Sequence, residues 1–213
     1  MNKSKFKSPS ELNQTVVADA EKYLSKRDKK LAKLIREVGS CTLDISNRPK
    51  FEMLISAIIS QQLSGKASAT IYKRLIERAG GSKNLAKKLV NLSSDEVRSC
   101  GVSTTKTNSI LRVAELVATK QLDLDAMMEL DDESVHRELT SVTGIGPWTV
   151  QMFLMFALRR PDVFSTGDAG LRRGLRLLYG LEETPSEEEM LDITEKWRPY
   201  RTVGAWYLWR VID

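Results

Sequence analysis

Apolar residues recur along this chain at spacings of three and four, the pattern of helices that bury one side. From Val16 to Val38 the positions Val16, Val17, Ala20, Leu24, Leu31, Leu34, Ile35 and Val38 predict two helices interrupted near Ser25 to Lys30, and Gly39 ends the second. Pro49 opens another, with Phe51, Leu54, Ile55, Ile58 and Ile59 on one side. It runs into SQQLSGKAS, where Gly65 breaks the pattern, and a helix from Ala67 carries Ile71, Leu75 and Ile76. Gln61, Gln62, Leu63 and Ser64 therefore sit at a helix–helix turn.

Ser93 or Ser94, followed by Asp95 and Glu96, signals a further start, and Gly101 its end. Thr104 to Ala118 reads as a helix with Ile110, Val113, Ala114 and Val117 inward, and Asp131 or Asp132 begins the next. Pro147 suits a first helical position, because its missing N–H would be unpaired there anyway. The run Trp148 to Leu158 is apolar almost all round, so a helix there must be buried. AGLRRGLRLLYG makes a basic helix closing at Gly180, and the acidic segment after it begins a last helix near Pro185. No stretch reads as a strand; the expected class is all-α.

Composition narrows the chemistry. At 213 residues the chain can bury a substantial core, in one domain or two intimately packed lobes. No window approaches the roughly 20 apolar residues of a membrane span. MNKSKFKSPSELNQ has basic residues without an apolar core, so no secretory signal is expected, residues 1–14 are expected to fray, and an intracellular protein is inferred. Two cysteines, Cys41 and Cys100, exclude a disulfide scaffold and a four-cysteine iron–sulfur site, and the single His136 makes a zinc site equally improbable.

The formal net charge is +5. Lys and Arg are concentrated in residues 1–50 and 159–176, whereas 121–138 and 181–196 are acidic. One basic face would suit a polyanion, and a solvated mixed surface would explain the same charges. Gly65-Lys66 is not a phosphate-binding loop, since Ser60 stands where the earlier glycine is needed and Ala67 follows the lysine.

The special residues concentrate between Glu138 and Asp168, in ELTSVTGIGPWTVQMFLMFALRRPDVFSTGD. Gly144 and Gly146 flank Ile145, which permits a tight hairpin between two helices. The N–H groups of Gly144, Gly146 and Thr149 at a helix start suit an anion, especially a phosphate oxygen. Asp168 follows about twenty residues later. It reads as a reactive carboxylate or as the cap of the helix after it, and the two roles can coexist.

The stretch VTGIGPWTVQMFLMFALRRPDVFSTGD resembles the helix-hairpin-helix, Gly/Pro-rich loop and aspartate of the HhH-GPD family of DNA glycosylases. The Trp after GIGP and the phrase RPDVF are similar to the DNA-3-methyladenine glycosylase II branch, the AlkA and yeast Mag type. The resemblance covers most of the chain from about Phe51 onward. It implies a single HhH-GPD domain over residues 1–213, all-α and two-lobed, with its helix-hairpin-helix at about 134–158 and a DNA-binding cleft between the lobes.

It further implies a monofunctional enzyme that flips and excises alkylated purines of the 3-methyladenine type from double-stranded DNA, or a weakly catalytic or inactive relative that binds damaged or abasic DNA. Such a base is cationic and leaves as a neutral molecule, so one ionised carboxylate, Asp168, could stabilise the sugar's developing charge and orient water. Trp148, Tyr200 and Met152 would line the base pocket, aromatic walls suiting a cation. Gln62 would fill the gap in the minor groove, with Leu63 and Ser64 beside it.

The carbonyls of Thr140, Val142 and Ile145 would hold a structural Na+ or K+ that bridges to a phosphate, with no other cofactor required. Gly144, Gly146 and Thr149 would contact the phosphate directly. Residues 147–158 contain no lysine, so Schiff-base cleavage of the strand is not expected. Further expectations are a monomer, no membrane association, and residence in the nucleus of a eukaryote or otherwise the cytoplasm. The chain departs from its relatives in Ser-Thr-Gly between Phe164 and Asp168, in small Ala169-Gly170 after the aspartate, and in Met152 where an aromatic is usual.

Overall fold

The computed structural model describes residues 11–43 and 48–212, and among them every regular element is helical. Two compact units emerge. One combines the described residues of Met1–Ser46 and Arg159–Asp213; the other is Asn47–Leu158.

In the first unit, α1 (Gln14–Arg27) and α2 (Lys29–Val38) are followed, after the second unit, by α10 (Ala169–Tyr179), α11 (Glu187–Glu195) and α12 (Arg201–Ile212). α12 packs on α10, α2 and α1. Close approach of α12 to α10 depends on Gly174, where an added Cβ would stand 2.7 Å from the Leu208 carbonyl oxygen. The break expected near Ser25 to Lys30 is a single residue, Asp28, which ends α1 and caps α2 through its side chain.

Asp28 is also the polar centre of this unit. Its buried carboxylate accepts from the N–H groups of Lys30 and Leu31, from the Trp197 indole at 2.9 Å, from Lys196 at 3.0 Å and from the Tyr179 hydroxyl. Burial and the neighbouring carboxylate push the Tyr179 hydroxyl far up in pKa.

The second unit contains α3 (Lys50–Ser60), α4 (Gly65–Arg78), α5 (Leu85–Val90), α6 (Ser94–Ser99), α7 (Thr104–Ala118), a 3-10 turn at Ala126–Glu129, α8 (Asp132–Thr140) and α9 (Pro147–Phe156). The apolar face of α3 explains its central place: Leu54, Ile55 and Ile58 are fully buried, and α3 packs on α4, α7 and α9. Ser93 caps α6 in a reciprocal box with Glu96, satisfying two helix-start N–H groups at once.

Four expectations need correction. The helix expected from Ala67 begins at Gly65, because the Ser64 hydroxyl accepts from the Ala67 N–H and so places the start earlier. α9 ends at Phe156 rather than Leu158. The tail after Gly180 forms two helices, since the Pro185 signal belongs to α11 and a turn through Pro199 separates α12. Of the stretch expected to fray, residues 1–10 lie outside those described, but Leu12 is buried, its N–H donates to the Arg159 carbonyl at 2.8 Å, and Asn13 caps α1.

Candidate active site

The hairpin in the second unit turns on Gly144. α8 ends at Thr140, the Val142 N–H donates to Leu139 and the Ile145 N–H to Val142, and Pro147 starts α9 at its first position. Gly144 has φ +86, and a Cβ there would collide with the Ser109 hydroxyl of α7. Gly144→Ala should therefore cost about 2–4 kcal/mol, combining a left-handed backbone with overpacking. Urea denaturation of the variant measures this loss, and an unchanged midpoint would mean that Ser109 yields freely.

Thr140, Val142 and Ile145 lie at the C-terminal end of α8 and in the turn after it, where helical carbonyls lack helical partners and carry the negative end of the dipole. Their carbonyl oxygens are hard donors of the kind a monovalent cation takes, and that of Val142 already accepts from the Ile145 N–H at 3.0 Å. The side chains of Val142 and Ile145 are buried, which fixes their carbonyls in the turn.

Gln61 joins this hairpin to the turn between α3 and α4. Its amide Nε2 donates to the Gly144 carbonyl at 3.1 Å and to the Thr149 hydroxyl at 2.8 Å. Lys106, from α7, secures the same turn by donating to the carbonyls of Ile59 at 2.8 Å and Gln61 at 2.6 Å. Burial lowers the Lys106 pKa from its ordinary value. Gln62 takes φ +56 and is exposed, Leu63 is 40% exposed, and Ser64 caps α4. Thr149 is buried, Trp148 half-buried, and Met152 buried one turn further along α9.

In the first unit, Asp168 is 8% exposed and caps α10. Its Oδ1 accepts from the Leu171 N–H at 2.7 Å and from the Trp209 indole at 3.2 Å. The RPDVF phrase ties the loop before it to α12. Asp162 accepts from Arg201 at 2.8 Å and Arg198 at 2.7 Å, while Thr202 accepts from the Val163 N–H and donates to the Arg160 carbonyl. Tyr200 is buried, with its ring edge-on to Tyr23 at 5.3 Å, and burial raises its hydroxyl pKa.

Residues 55–199 match the HhH-GPD superfamily of base excision DNA repair proteins. The chain belongs to that superfamily. Among its relatives, the DNA-3-methyladenine glycosylase 1 of Schizosaccharomyces pombe is 34% identical over 92% of this chain and 88% of its own. The alkylbase DNA glycosidase-like protein mag2 of the same yeast is 32% identical over 90% of this chain and 92% of its own. The structure of S. pombe 3-methyladenine DNA glycosylase Mag1 in complex with abasic DNA superposes with a TM-score of 0.81 at 32% identity, covering 90% of this chain and 95% of that one.

Within this HhH-GPD chain, sequence reasoning singled out the hairpin, the turn and the aspartate, and did not single out Lys106, the bridge made by Gln61, or Trp209 beside Asp168. Gln61 and Trp209 act through partners 83 to 88 and 41 residues away, so no local spacing marks them.

Proposed function

We propose that this protein is a monofunctional DNA glycosylase that excises alkylated purines, such as 3-methyladenine, from duplex DNA during base excision repair. The observation that carries the reading is Asp168, a nearly buried carboxylate held by its Oδ1 at the start of α10, in a chain of this superfamily. The likeness to two yeast proteins named for 3-methyladenine or alkylbase chemistry supports the substrate class.

In this reading the C1′–N bond breaks, its electron pair neutralises the cationic base, and water adds to C1′ with loss of a proton. Asp168 stabilises the charge developing on the sugar. The N–H groups of Gly144, Gly146 and Thr149 hold a backbone phosphate, a contact that positions the duplex without reading bases. A monovalent cation on the carbonyls of Thr140, Val142 and Ile145 would add positive charge for the same phosphate. Gln62, Leu63 and Ser64 enter the minor groove, and Trp148, half-buried on α9, offers its ring to the flipped base, whereas Met152 and Tyr200 are buried within their own units. The lack of lysine in residues 147–158 supports hydrolysis without strand cleavage. The protein acts as a monomer, and in a eukaryote its place of work is the nucleus.

Release of labelled methylated purines from alkylated duplex DNA tests this reading. Release without strand nicking is expected. Absence of release, with tighter binding to abasic than to intact DNA, would replace it with a damage-binding role. In the same preparation, affinity for duplex DNA should fall about 10- to 100-fold between 50 and 200 mM salt, as expected when a few phosphates are neutralised. A titration that is flat with salt would remove the phosphate-binding role of the hairpin.

A further inference from the structure

Asp168 is held from two directions. The Leu171 N–H comes from its own helix, as in any capped helix, whereas the Trp209 indole comes from the last turn of α12. The cap bond restrains rotation of the carboxylate about Cβ–Cγ from one side. A second donor on the same oxygen, from a different element, narrows that rotation further.

The approach of Trp209 requires a gap beside the carboxylate. Gly170 provides it: an added Cβ would lie 3.0 Å from the Asp168 Oδ1 and 3.1 Å from the Trp209 Cδ1, tighter than side chains normally pack. Gly170, the second residue after the aspartate, thus has a local physical use. α12 is also tied at its start to the loop that carries Asp168, through the Asp162–Arg201 pair. One helix therefore holds the aspartate at its end and the loop leading to it at its start.

We propose that Trp209 is a positioning residue for the reaction, its indole N–H fixing the orientation of the Asp168 carboxylate toward the sugar. The proposal rests on Asp168 being the reacting carboxylate. A donor to an ionised acceptor is about twice as strong as a neutral pair, so its loss should slow base release about 10- to 100-fold.

The experiment compares wild type, Trp209→Phe, and a chain in which Trp209 is replaced by 3-benzothienylalanine, where sulfur takes the place of the N–H at nearly the same shape. The rate of base release at saturating protein, the half-saturating protein concentration, and the thermal midpoint are read for each. Both variants should slow by that factor with half-saturation within error of wild type, while the sulfur analogue, which keeps the ring's shape, loses only the few degrees of midpoint expected of one hydrogen bond, a split that a purely packing role would not produce. If the sulfur analogue releases base at the wild-type rate, or if rate, half-saturation and stability decline together in both, Trp209 only fills space and the proposal is overturned. If wild type itself releases no base, the glycosylase reading fails first, and Trp209 has no reaction to serve.

Discussion

Asp168→Asn should slow base release about 10³-fold, the scale of losing one preorganised electrostatic group at a developing charge. The substitution is informative because asparagine caps helices about as well as aspartate. Its side-chain oxygen can still accept from the Leu171 N–H and the Trp209 indole, so the start of α10 and the setting of the site are preserved. What disappears is the negative charge. The two roles left open by the sequence, cap and catalyst, are therefore separated by one variant. Single-turnover release from alkylated DNA, at matched occupancy, measures the rate, and thermal unfolding checks the cap. A variant that unfolds normally and releases base at the wild-type rate would make Asp168 a cap only.

The second large effect lies in stability. Asp28→Ala should cost about 3–5 kcal/mol, because it strands several buried donors rather than removing a matched pair. The Trp197 indole and the Tyr179 hydroxyl lose the same acceptor, and α2 loses its cap. Burial alone would raise the Asp28 pKa, but hydrogen bonds from Tyr179, Trp197, the Leu31 N–H and Lys196 together outweigh it and hold the carboxyl below its ordinary value.

The direction of the pH effect follows from that lowering. The folded state binds the Asp28 proton more weakly than the unfolded chain does, so this stabilisation is complete above the ordinary carboxylate range and is lost as pH falls through the lowered folded value. Urea unfolding of wild type and Asp28→Asn between pH 7 and pH 3 reads it. The wild-type advantage should shrink as the solution is acidified. An advantage that holds constant to pH 3 would mean that the carboxylate charge contributes nothing there.

The chain's local signals determined most helix boundaries and the elements of the hairpin. α7 spans Thr104–Ala118 as the apolar spacing predicted, Pro147 opens α9, and Gly180 closes α10 in a left-handed conformation. These are short-range effects, set by capping, backbone freedom and the period of one helix. α5 escaped because its six residues, with no side-chain cap, are too short for a period to register. Tertiary structure decided what each singled-out residue does. Asp28, at an unremarkable break between helices, became a hub only when Tyr179 and Trp197 arrived from 151 and 169 residues away. Likewise the Gln61 bridge to the hairpin and the Trp209 bond to Asp168 arise from packing between helices, because a hydrogen bond depends on where two chain segments meet in space and leaves no spacing along either of them.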